Sequence, residues 1–293
     1  MILSGILASL VRHNNLYIVI GALIAFIFLA CKSTTQSFIF FILTLVLYAS
    51  VTLISNTLIH KLNAETGSIA EALSIPFQQT ARYIKCYPDD VTDSEKDAIN
   101  NVLEYDILAD QYDPVLSDNI KRTYHGDSDS LKSYFKVWAI MFFKHPLTYI
   151  EATLNNSYTY YCPNGQNSPQ GLVITYIENN PAVDKGFFNI HYVFEDYELR
   201  SITTNLISFF EHIPGIGLLM HMGIYTWILL ILLAYCIYRN CAILFAAFSI
   251  PALTVLTCVA SPVNGLLRYS LPVIIMTPIL VGWVLVVTKK SED

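Results

Sequence analysis

Ser37–Ile59, SFIFFILTLVLYASVTLISNTLI, runs for 23 residues without one Asp, Glu, Lys, Arg or His. Wound as a helix at about 1.5 Å per residue, about 20 such residues cover the roughly 30 Å hydrocarbon core of a bilayer. Working outward, Leu16–Cys31 is a second uncharged run, joined to the first by the polar hairpin Lys32 to Gln36. Three more follow far downstream, at Ile216–Tyr238, Cys241–Ser261 and Tyr269–Thr288, divided by Arg239-Asn240 and by Pro262 to Arg268. The expected fold class is therefore an all-α integral membrane protein of about five transmembrane helices. A mainly helical extracytoplasmic domain is inserted between helices 2 and 3.

The charges sort the same way. Of the 293 residues 54% are hydrophobic and only 14% charged, with a mean hydropathy of +0.48, where soluble domains run nearer one quarter charged. All but two of the 23 acids fall between Glu65 and Glu211. Residues 59–213 hold 11 Lys and Arg against 21 Asp and Glu, a net of −10, while the rest of the chain holds 6 against 2, a net of +4. The division that results is 1–59, an N-terminal membrane part; 60–213, an acidic polar domain; and 214–293, a C-terminal membrane part. A block this acidic is unsuited to nucleic acid, whose binding rests on neutralising phosphates.

Lysine and arginine in short loops set the orientation. With Lys32, Arg239 and Lys289-Lys290 cytoplasmic, alternate crossing places 60–213 outside, in a multi-pass protein of the cell membrane. Arg12 and Arg268 then lie on the outer side, against the usual bias. Met1–Val11 lacks the basic start and cleavage site of a signal peptide. It reads as the trailing half of a helix, so the chain is expected to be the C-terminal part of something longer.

Within the polar block, Ser68 to Tyr87 has apolar residues at helical spacing and is expected to lie against the membrane surface. Val91-Thr92-Asp93-Ser94-Glu95 supplies the N-cap and acidic first turn of a helix expected to reach about Leu108. Leu131–Phe143 is a helix that is either core or partly sunk in the interface, and Pro146 to Tyr161 continues it to the break at Cys162-Pro163. Leu172 to Ile177 is a candidate strand. The run Asp89, Asp90, Asp93, Glu95 and Asp97 reads as a solvated face. Cys86 and Cys162 either pair, in an oxidising compartment, or stand as free thiols. No metal-binding motif is present and no cofactor is evident, although a divalent ion is compatible with the sequence.

Three places carry cations or amides suited to an anion. Gln78 and Arg82, four apart, share a helical face with Gln79 beside them, and the same pattern fits an ordinary surface on which Arg82 pairs with an acid. Arg268-Tyr269 opens the last apolar run, where an arginine either snorkels to lipid headgroups or faces inward to hold a phosphate. Arg12 starts Arg12-His13-Asn14-Asn15 on the same side. His221, without a second ligand beside it, reads as a packing residue.

Glu71…Ser74-Ile75-Pro76-Phe77-Gln78-Gln79-Thr80-Ala81-Arg82, Tyr160-Tyr161-Cys162-Pro163 and Asn264-Gly265…Arg268-Tyr269-Ser270-Leu271-Pro272, taken with Arg12-His13-Asn14-Asn15, resemble an uncharacterised family of bacterial polytopic membrane proteins. That family is similar to the GT-C-type glycosyltransferases, which use polyprenyl-phosphate-linked sugars. The resemblance implies transfer of such a sugar in cell-envelope glycan assembly. Arg268, Tyr269, Arg82, Gln78, Gln79 and Arg12 are the implied contacts to lipid phosphate and sugar, and membrane lipids the implied surroundings. GT-C enzymes place a catalytic carboxylate in the first outer loop, and this sequence has no acid before Glu65. It therefore resembles the C-terminal half of such an enzyme, with no catalytic residue assigned. Two other functions fit: a non-catalytic scaffold or envelope-binding protein, and a transporter or flippase, against which stands the lack of acids in the apolar runs.

Overall fold

A computed structural model describes residues 2–12, 14–63, 68–163, 197–239, 245–261 and 263–290. Among the described residues every regular element is a helix, and β-pairing is confined to two isolated bridges, Asp113 with Leu116 and Leu116 with Val263. The candidate strand at 172–177 lies outside the described residues.

Helices α1 (Ile2–Val11), α2 (Asn14–Ala30) and α3 (Thr34–Leu62) open the chain. Ser33 caps α3, its hydroxyl accepting from the Gln36 amide, and Asn63 closes it in the left-handed conformation. After the polar unit come α10 (Tyr197–His212), the single turn α11 (Ile216–Leu219), α12 (Met222–Tyr238), α13 (Phe245–Val259) and α14 (Leu267–Lys290). Among the described residues two helices are long and apolar enough to cross a membrane, α3 over its whole length and α14 over Leu267–Lys289. The other three expected spans appear as shorter apolar helices: α2 and α12 have 17 residues each and α13 has 15. Seventeen residues rise only about 25 Å. The span expected at 216–238 is shortened because the chain turns between Leu219 and Met222, with His221 extended as the N-cap of α12.

These helices pack in a chain of neighbours. α2 lies along both α3 and α13, α14 packs on α13 and α12, and α1 fills the angle between α2 and α3. Leu229, Cys236, Phe248, Val273, Leu280 and Val284 form the shared core of α12, α13 and α14. Gly21 allows the α2–α13 approach, since a Cβ there would sit 2.8 Å from a Leu253 methyl. Their outer faces stay apolar: only 17% of the most apolar window of α3 is buried against the rest of the protein.

The polar unit is built around α4 (Ser74–Cys86), with α5 (Asp93–Asn100), α6 (Tyr105–Gln111), α7 (Asp118–Lys121), α8 (Ser128–Lys144) and α9 (Pro146–Asn155) about it. The membrane-surface expectation for Ser68 to Tyr87 gives way here. Eight of the thirteen residues of α4 are buried, and Phe77, Ala81, Tyr83 and Ile84 form the centre of a core with Ile99, Leu103, Ile120, Tyr134 and Tyr149. The same apolar spacing serves a protein core or a lipid surface, and the packing of α9, α6 and α7 on α4 decided it. Thr92 and Glu95 cap α5 reciprocally. That helix stops at Asn100 because buried Val102 and Leu103 turn inward, and α6 restarts beyond them. Asp127 caps α8, and Pro146 occupies the first turn of α9, where its missing N–H costs nothing. Cys86 and Cys162 are free thiols.

Candidate functional site

Two of the sequence pieces singled out above, those of Tyr160 and Asn264, meet in the loop between α13 and α14, described at 261 and 263–266. Asn264 is fully buried. Its backbone N–H donates to Val115 O at 3.0 Å, and its side-chain oxygen accepts the Thr159 N–H at 3.1 Å. Next to it Gly265 has φ +75°, a conformation a side chain would oppose. From the end of α9, Asn156 donates its amide to Ser261 O at 2.8 Å. Tyr160, in the 3₁₀ turn Tyr158–Tyr160, donates its hydroxyl to Val263 O and accepts the Leu266 N–H, each at 3.0 Å. Burial pushes the Tyr160 hydroxyl pKa up, so it remains a neutral donor. Carbonyls of this same stretch anchor α12: Thr226 donates to Tyr160 O at 2.6 Å and the Trp227 indole to Tyr161 O at 2.8 Å.

Gln78 supports the loop from behind, donating its amide to Asp113 O in the turn that also presents Val115. Gln79 is held between the Trp138 indole, which it accepts at 3.0 Å, and the Thr153 hydroxyl, to which it donates at 2.9 Å. Arg82 pairs with Glu151 and reaches the Tyr112 hydroxyl at 3.4 Å. Burial opposes its charge, but those two partners more than offset this and hold its pKa above the ordinary value. These three side chains of α4 are committed within the polar unit and do not face the cleft described next.

What the loop delivers is Arg268-Tyr269. The Arg12 guanidinium, at the α1–α2 link, lies over the Tyr269 ring at 4.1 Å from its centroid, and that of Arg268 lies 5.0 Å from the same centroid. Asn15 fixes the link, its side chain donating to Ala8 O at 2.9 Å. Arg268 also donates to the Tyr269 hydroxyl at 3.2 Å. Tyr269 and Arg268 line a cleft of about 430 Å³ together with Ser68, Glu71, Asp118, Lys121 and Arg122. Lys121, only 7% exposed, holds Glu71 at 2.6 Å and Asp118 at 2.8 Å, so the cleft's two carboxylates are both engaged and share a single ammonium. Arg12, Arg122 and Arg268 form no ion pair among the described residues. The cleft thus presents Arg122 and Arg268, and Arg268 shares the Tyr269 ring with Arg12 beside it, an arrangement suited to an anion.

Sequence reasoning placed Arg12, Arg268 and Tyr269 on one side, and the structure brings them into contact. It missed Arg122, Lys121 and the positioning residues Asn156, Tyr160 and Asn264. Arg122 follows a four-residue helix and has no spacing signal. Tyr160 and Asn264 showed only as parts of the quoted motifs, and Asn156 lies outside them. Among the described residues no group of His, Cys, Asp and Glu could hold a metal ion.

The fold and cleft define a helical protein with an arginine-lined cleft at the junction of a polar unit and apolar helices. Over residues 1–293 the chain matches, and belongs to, a family of unknown function, DUF6020. No curated protein and no solved structure matches it.

Proposed function

We propose that this chain is a multi-pass membrane protein that crosses the bilayer five times, and that its cleft takes the phosphate of a polyprenyl-phosphate-linked sugar. It would do so as the glycosyltransferase-like portion of an envelope-glycan enzyme. The observation that carries the reading is the Arg12–Tyr269–Arg268 stack at the mouth of a cleft that Arg122 also lines. Guanidiniums that share one ring repel each other, and an anion between them relieves the repulsion.

Topology supports the membrane part. Contacts with Tyr269, Tyr160 and Ser261 gather the first turn of α2, the start of α12, the end of α13 and the start of α14 at the polar unit. Lys32 lies at the opposite ends of α2 and α3. Arg239 lies there too, bonded at 3.3 Å to Thr288 O beside Lys289. Basic residues at the far end fit a cytoplasmic face, with residues 60–213 outside. The lipid-facing sides of α3 bear Phe38, Phe41, Leu45 and Leu53, all exposed, and water would not tolerate so large a patch.

A second reading, a non-catalytic binding protein, is favoured by one feature. Glu71 and Asp118, the carboxylates in the cleft, are both tied to Lys121, and a carboxylate held by an ammonium is a poor general base. Both readings require the phosphate site. Its test is binding of polyprenyl phosphate against the neutral polyprenol by purified protein in nanodiscs. Loss of a charge-assisted bond of about 1.5–3 kcal/mol predicts roughly 10- to 100-fold weaker binding of the phosphate to R268Q and R12Q. Equal affinity for phosphate and alcohol removes both readings, while sugar transfer by the wild type separates the enzyme from the binder.

A further inference from the structure

α9 turns two faces to different surroundings. Thr148, Tyr149 and Ala152 are buried in the polar unit, whereas Leu147, Ile150 and Leu154 point away from it, exposed. Ile140 and Phe143, at the end of α8, are exposed as well, Phe143 at 81%. Leu147, Ile150 and Leu154, at steps of 3 and 4, give one stripe along α9, and Ile140 and Phe143, three apart, a short one at the end of α8. A further stripe stands on α10. Leu199, Ile202, Leu206 and Phe209 repeat by 3, 4 and 3 and are all exposed, between Glu198, Thr203, Asn205 and His212. No side chain described on α10 is buried. Its main neighbour is the short turn α11.

The α9 and α10 stripes are tethered to the start of one apolar helix. The Tyr161 hydroxyl donates to Leu154 O at 2.7 Å while the Tyr161 carbonyl accepts the Trp227 indole at 2.8 Å, which sets the foot of the α9 stripe at the first turns of α12. α10 reaches the same point through α11, whose Ile216, Leu218 and Leu219 are exposed. From there the apolar surface runs on to Trp227, Leu230 and Ile231 on the outside of α12. An aromatic pair of Trp and Tyr at such a junction is the chemistry of the headgroup level, and a helix with one apolar stripe and a polar back lies in that plane.

We infer that the α8–α9 ridge and α10 rest on the outer surface of the bilayer, their stripes sunk at the headgroup–acyl boundary on either side of the start of α12. The inference rests on the membrane reading above. The polar unit is thereby held against the lipid by two interfacial helices in addition to its covalent links, which keeps the cleft at headgroup height. The occupant is lipid because the stripes continue the lipid-facing side of α12 instead of forming a separate patch.

Site-specific photocrosslinking tests it on the full chain in nanodiscs of phosphatidylethanolamine and phosphatidylglycerol. p-Benzoylphenylalanine is placed singly at Phe143, Leu147 and Leu206, at Leu230 as the membrane reference and at Ser94 as the water reference, and adducts are read by intact mass. Lipid adducts at positions 143, 147 and 206 are expected within about threefold of those at 230 and at least about tenfold above those at 94, as for interfacial side chains. Lipid adducts at 230 with none at 143, 147 or 206 overturn the inference and leave the membrane reading standing. No lipid adduct at 230 sinks both. An adduct of twice the protein mass at 147 or 206 assigns the stripes to a second copy and overturns the inference.

Discussion

Replacing Lys144 with Met removes the ammonium that ties α8 to the start of α5. Lys144 lies 2.9 Å from a Glu95 carboxylate oxygen and donates to Asp90 O at 3.0 Å. Glu95 keeps only 7% of its side chain exposed. Burial pushes its carboxyl pKa up, yet the Thr92 hydrogen bonds and the Lys144 ammonium win and hold it below the ordinary carboxylate value. Stranding a fully buried charge costs about 3–5 kcal/mol. Lys144 is 29% exposed, so water screens part of the pair and the expected loss is about 2 kcal/mol. For a unit of this size that lowers the Tm of the polar unit by roughly 10 °C, read by tryptophan fluorescence in detergent. A depressed folded-state pKa contributes stability that is present above the unfolded value and lost as pH falls through the folded one. The gap between wild type and K144M should therefore be full at neutral pH and narrow from the ordinary glutamate value of about 4.3 downward. The double variant K144M/E95Q should recover part of the loss, since no bare charge remains. A K144M Tm equal to that of wild type at pH 7, or a double variant as unstable as the sum of its singles, refutes the reasoning.

Three further outcomes are expected. Arg82→Gln breaks a pair whose Glu151 is 57% exposed, so it should cost under about 1 kcal/mol of stability and leave polyprenyl-phosphate affinity unchanged; a loss equal to that of R268Q would return Arg82 to the site. Gly223→Ala should sharply lower yield and Tm, because its Cβ would collide with the Cys162 backbone, which has no flexible end to swing aside. Tyr134→Phe removes the hydroxyl that donates to Pro76 O at 3.0 Å and meets the Thr80 hydroxyl at 2.8 Å inside the core, and should cost about 1–3 kcal/mol in thermal unfolding without touching binding.

Helix class, the apolar segments and the acidic polar unit were legible in the sequence because each depends on composition over ten or more residues, and averaging over a run makes such signals strong. A cap within Val91–Glu95 and the break at Pro146 were legible for a different reason: they are local hydrogen-bond and steric rules. Counting apolar runs put Arg12, Arg82 and Arg268 on one side, and the structure brings two of them, Arg12 and Arg268, together at Tyr269. Tertiary structure alone decided which amphipathic helix goes inside. α4 and α9 carry similar periodicity, and only packing against α6, α7 and α9 sends α4 to the core and leaves the α9 stripe outside. It alone committed Gln78, Gln79 and Arg82 to internal partners and placed Arg122 beside Arg268, 146 residues away in the chain. The physical reason is common to both cases. Periodicity records that a face is apolar, and a side chain's type records that it can bond, but which neighbour meets either is set by contacts distant in sequence that no local pattern encodes.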